Sequence, residues 1–137
     1  MTDYSKFLVK DYKYWLVNVH ENQGYLGRCI VWCKREDALD LADATKAEQE
    51  ELITILGELR ETTKRAFQAD WFNYAFLGNE THHLHGHFIP RYSSSRELGG
   101  ITFTDERWGH NYTTDHDFVT PPEVLYAVRL KLKGELY

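Results

Sequence analysis

Between Thr81 and Tyr92 the chain reads THHLHGHFIPRY, which sets His83, His85 and His87 two residues apart. Alternation of this kind is the period of an extended strand, whose successive side chains point to opposite faces. Three imidazoles then form one row, while His82, Leu84, Gly86 and Phe88 point the other way. One face does chemistry and the other packs.

The rest of the chain supplies partners for such a strand. Tyr12–Val19 (YKYWLVNV) and Tyr25–Trp32 (YLGRCIVW) are aromatic and β-branched, and Glu21-Asn22-Gln23-Gly24 between them reads as a turn, so a hairpin is expected. Thr45 followed three residues later by Glu48 marks a helix start, and a long helix is expected to run to about Gln68. Its apolar stripe is Leu52, Leu56, Leu59 and Phe67, widened by Ile53 and Ile55. Trp71–Phe76 reads as a strand returning through Leu77–Glu80 into the histidine strand, which Pro90 should end because proline has no N–H for a ladder. Residues 93–120 show one short alternating piece, Ile101–Thr104, and are either a functional lid or a misread element. Pro121-Pro122 opens a last helix, Glu123 to about Lys133, with Val124, Val128 and Leu132 on one side.

At 137 residues the chain is expected to be one domain, 1–137, and 42% hydrophobic against 27% charged residues argue against extensive disorder. No run is long enough to span a membrane and the N-terminus is too polar for a secretion signal, so a cytoplasmic location is expected. Cys29 and Cys33 would lie about 13 Å apart on a strand, beyond disulfide reach, and are read as reduced and structural. A net charge of −5 excludes nucleic acid or an anionic membrane as a partner drawn by the global field, so phosphate binding must be local.

The histidine row has three readings. Neighbours on one face lie about 6.6 Å apart and the outer pair about 13 Å, so three cannot converge on one ion; a metal would take two and need His20, His110 or His116 as well. The imidazoles could be plain hydrogen-bonded strand residues. They could also form a linear array aimed at an extended anion, with one as nucleophile.

His83-Leu84-His85-Gly86-His87-Phe88-Ile89, followed by Pro90-Arg91, resembles the histidine-triad (HIT) motif, and the Pro-Arg ending resembles the branch that cleaves diadenosine polyphosphates. The resemblance extends upstream through Leu16-Val17-Asn18, Gly27-Arg28-Cys29-Ile30-Val31, a long helix and a strand, covering roughly residues 7 to 92. It implies an α+β fold: an antiparallel sheet of about five strands with one long central helix and a C-terminal helix, paired as a homodimer.

By position, the resemblance makes His85 the nucleophile that forms a covalent nucleotidyl-histidine, His87 the donor to phosphate or leaving group, and His83 the residue that orders the network. Asn18 falls where the family commonly contacts ribose, and Asn79 where an amide touches phosphate. Arg91 either clamps phosphate or caps the strand end. Gly86 stands where relatives carry a larger apolar residue, which suggests close approach by an aromatic such as Trp71 or Phe72. Arg28 replaces a common histidine and is read as a solvated strand arginine rather than a substrate contact. Glu80 would repel phosphate if it faced inward. Trp108–Tyr112 is a base-stacking loop or, as favoured here, a satellite core.

The resulting expectation is a hydrolase of nucleoside 5′-polyphosphates or phosphoramidates, needing no cofactor beyond a divalent cation that accompanies a polyphosphate. The alternatives are a non-catalytic nucleotide-binding or scaffolding HIT protein and a metal-dependent hydrolase using two of the row.

Overall fold

A computed structural model describes residues 5–136. Five strands form one antiparallel sheet: β1 (Leu8–Asp11), β2 (Trp15–Val19), β3 (Cys29–Cys33), β4 (Trp71–Ala75) and β5 (His85–Arg91), in the order β1-β2-β3-β5-β4. Helix α1 (Lys46–Phe67) lies between β3 and β4 in the chain. A hairpin of β6 (Arg96–Leu98) and β7 (Ile101–Phe103) follows β5, and α2 (Pro122–Leu136) comes last. This is the expected α+β architecture. No helix among the described residues is long and apolar enough to cross a membrane.

Period-two alternation sorts the sheet into two faces. Trp15, Val17 and Val19 of β2, Cys29, Val31 and Cys33 of β3, and Phe88 of β5 are buried on one side, under Leu52, Ile55 and Leu59 of α1 and Val124, Val128 and Leu132 of α2. The indole N–H of Trp15 donates to the carbonyl of Glu48 at 3.0 Å and ties the sheet to the first turn of α1. Cys29 and Cys33 are free thiols in this layer, and burial pushes the Cys29 thiol up to about 12.

Helix α1 begins and ends where its sequence dictates. The Thr45 side chain accepts from the Glu48 N–H while Glu48 accepts from the Thr45 N–H, and Gln68 closes the far end in the left-handed region. Its buried stripe is Leu52, Ile55, Leu59 and Phe67. Ile53 is 69% exposed, because one residue on from Leu52 a helix has turned about 100° away from the core.

Other expectations are corrected. The connection between β2 and β3 takes nine residues rather than a four-residue turn, held by Gln23, whose side chain spans the loop to the Gly27 N–H and the carbonyls of His20 and Arg28. Strand β5 runs through Pro90 to Arg91; its pairing with β3 has ended at Phe88, so a missing donor on that side breaks no bond. Within 93–120 the structure adds β6 to the expected piece, and Gly99 and Gly100, both at positive φ, make the turn.

Candidate functional site

The register of β3 against β5 places the histidines. Trp32 pairs with His85 and Ile30 with His87, so both imidazoles stand on the face away from the helices, while Gly86 opposite Val31 looks into the core. A Cβ at position 86 would run into the ring of Phe76, which fills the space expected of Trp71 or Phe72. His83 lies just before the strand, its ring stacked on Trp32 at 4.2 Å and its Nε2 donating to the Cys33 carbonyl at 2.6 Å. The rings of His85 and His87 are 5.4 Å apart, and Trp32 also flanks His85. The structure therefore brings the three expected histidines together on one side.

Fixed partners assign the protons. Nδ1 of His85 is 2.7 Å from the His83 carbonyl, which only accepts, so Nδ1 carries the hydrogen and Nε2 keeps its lone pair. Nδ1 of His87 is 3.2 Å from Nη2 of Arg28, which only donates, so the proton of His87 sits on Nε2. His20 accepts the Asn22 N–H on its Nδ1 and packs 5.5 Å from His87. Burial first, then the Arg28 charge and the neighbouring histidine, push His87 down to about 4 and His20 down to about 3. Both rings are neutral at physiological pH.

Arg28 is not solvated. It is 4% exposed, lying under the 105–120 region, with Nη1 2.8 Å from the Thr114 hydroxyl and the guanidinium over the Tyr112 ring at 5.3 Å. Burial lowers its pKa, and among the described residues none of its partners is a carboxylate. A buried cation without a counter-charge at the wall of a cleft carries a charge that an anion entering the cleft could balance. Sequence reasoning missed it because its cover comes from residues some 85 positions away.

A cleft of about 480 Å³ opens beside His85, His87, Arg28, His20 and Trp32, with Leu77–Thr81 and His116 at its rim. Asn79 and Glu80 are exposed on that rim. Asn18 shares the sheet face, opposite Ile30, but His20 two residues later lines the cleft instead. Arg91 shares the face too, yet all five of its N–H donors are taken, by both carboxylate oxygens of Asp105, the Asn73 amide oxygen and the carbonyls of Arg107 and His110. It pins the strand end to the following loop and has no donor left for phosphate. Trp108, 43% exposed, His110 and Tyr112 line a separate cavity beside β4, and Tyr112 also packs against Arg28, so this stretch is not the closed satellite core expected of it. No group of three or more His, Cys, Asp or Glu side chains suited to a metal ion occurs among the described residues; His20 and His116 line the cleft but His110 does not.

A family model described as the HIT domain matches residues 3–94. The chain belongs to the HIT family. Sequence comparison with curated proteins gives no match. Solved HIT structures share the fold. A histidine-triad protein from Bradyrhizobium japonicum is 21% identical, with 95% of this chain and 90% of that one covered and a TM-score of 0.71. A zinc-bound HIT family protein from Mycobacterium smegmatis is 16% identical over 95% and 83% of the two chains, at 0.67. The diadenosine triphosphate hydrolase of Plasmodium falciparum, solved with cyclomarin A, is 13% identical over 95% and 76%, also at 0.67. At these identities the likeness is one of fold.

Proposed function

We propose that this HIT protein is a nucleotidyl hydrolase that cleaves nucleoside 5′-polyphosphates, of the diadenosine polyphosphate kind, or nucleoside phosphoramidates. The observation that carries the reading is the bare Nε2 of His85, its opposite nitrogen committed to the His83 carbonyl, facing a cleft whose wall holds the uncompensated Arg28. The activity in the name of the Plasmodium relative supports the same substrate class.

In the first step the Nε2 lone pair of His85 attacks the α-phosphorus and the bond from phosphorus to the leaving group breaks, its electron pair departing with that group. The His83 carbonyl accepts the Nδ1–H of the imidazolium-like adduct and steadies its charge. His87 offers its Nε2–H to a phosphoryl or leaving oxygen, and Arg28 balances the negative charge. Water then displaces His85 from phosphorus and a nucleoside monophosphate leaves. Asn79, on the rim of the cleft, would contact the phosphate chain. A divalent cation, where present, enters with the polyphosphate.

The protein should act in the cytoplasm as a homodimer. Supporting the pairing, β4 is an open sheet edge that presents Trp71, 66% exposed, and Tyr74, 44% exposed, whereas the β1 edge is approached by α2 through Arg129 and the Leu8 carbonyl.

Purified protein should convert a dinucleoside polyphosphate or an adenosine phosphoramidate to AMP, and His85→Ala should lower kcat roughly a thousandfold or more. Saturable nucleotide binding without turnover would instead make it a binding module. Activity lost to chelators on every substrate, with a stoichiometric metal, would make it a metal hydrolase.

A further inference from the structure

The last histidine of the row faces the cleft with a different nitrogen arrangement from the middle one, and Arg28 is the cause. Nη2 of Arg28 donates to Nδ1 of His87 at 3.2 Å, and the guanidinium is itself held by the Thr114 hydroxyl and the Tyr112 ring. His87 therefore keeps a single proton, on Nε2, directed away from Arg28. The other titratable groups around it are His20 at the end of β2, His85 on its own strand, and Glu80 and His116 across the cleft. Arg28 alone among these carries a fixed positive charge.

We propose that Arg28 selects the leaving group: by keeping His87 a neutral Nε2–H donor, it suits the cleft to phosphoanhydrides and disfavours phosphoramidates. The inference rests on the nucleotidyl-transfer reading above. When an anhydride is cleaved, the bridging oxygen takes the electron pair of the P–O bond and departs as a phosphate anion. No proton has to move. The Nε2–H of His87 hydrogen-bonds to that oxygen, and the charge of Arg28 compensates it. When a phosphoramidate is cleaved, nitrogen takes the pair of the P–N bond and leaves as an amine only after gaining a proton. A neutral imidazole lends a hydrogen bond but does not surrender its last proton near neutrality. Burial first and then the Arg28 charge push His87 down to about 4, so the ring is neutral at pH 7 and has no acidic proton to give.

The test measures kcat/KM for diadenosine triphosphate and adenosine 5′-phosphoramidate in parallel, from pH 5 to 8, on the unaltered protein and on Arg28→Met. The unaltered protein should favour the anhydride, and its phosphoramidate rate should gain on the anhydride rate as pH falls. In Arg28→Met the preference should shrink by roughly threefold or more at pH 7, because Nδ1 of His87 loses the donor that blocks it and the ring, though still lowered first by burial, can take a second proton and act as an acid. Removal of a buried arginine can cost the fold, so nitrogen-15 NMR of His87 in the unaltered protein supplies a second reading. The expected spectrum shows Nε2 protonated and Nδ1 bare down to about pH 5. A preference for the phosphoramidate, an unchanged preference in a folded Arg28→Met protein, or a proton on Nδ1 of His87 would each overturn the proposal and leave the hydrolase reading standing. Turnover of neither substrate would remove that reading and the proposal together.

Discussion

Two imidazoles at the cleft, His20 and His87, are held neutral well below the usual histidine range, and this has a consequence for stability. Between about pH 6.5 and about 4 the unfolded chain takes up protons at these positions that the folded chain refuses, so stability present at neutral pH is lost as pH falls through that window. Calorimetry should therefore record a Tm that drops from pH 7 to pH 4.5, with a smaller drop in His20→Asn and His87→Asn. An equal pH dependence in all three proteins would contradict the buried, neutral state. At this scale the pairing of His85 with His87 was legible, because a period of two needs only the strand to be realised, whereas His83, just before the strand, is held on the same side by Trp32 and the Cys33 carbonyl. The burial of Arg28 was not legible, since nothing near it in sequence announces that Tyr112 and Thr114 will cover it.

Elements whose signals are local read correctly from sequence, and those whose limits are set by neighbours did not. Helix α1 carries both of its caps within its own sequence. The four residues of β1 are too few to show a pattern, and they form a strand because β2 offers an edge. Pro90 was misread for the complementary reason: its effect depends on which neighbour is present at that level of the sheet. Gly86 was recognised as a site of close approach, but the occupant, Phe76, lies just past the end of β4 and swings under β5 in a way no register argument foretells. Gly86→Ala should cost about 1–3 kcal/mol by overpacking against that ring, although alanine in an unobstructed strand would stabilise by about 0.5–1 kcal/mol. Adding Phe76→Ala should make the pair less destabilised than the sum of the single changes by about 1 kcal/mol or more, measured by denaturant unfolding. Strict additivity would show that the two residues do not meet.

For the whole molecule, the sheet has one face sealed by two helices and the other divided between a covered half and a cleft. The 105–120 region, fastened by Arg91 to Asp105 and by Tyr25 to Thr113, covers the far end and leaves His85 and His87 open. In the proposed homodimer the exposed edge at β4 would receive the second copy. Sedimentation should find a dimer, and Trp71→Glu should shift it toward monomer; a monomer at all concentrations would refute the pairing while leaving the cleft chemistry untouched. That chemistry depends on one nitrogen. Incubating the protein with a dinucleoside polyphosphate labelled at the α-phosphorus, quenching in base and mapping the label by mass spectrometry reads it directly. A nucleotidyl group on His85, absent in His85→Ala, is the predicted result. Hydrolysis proceeding with no adduct, or with the label on another residue, would contradict it.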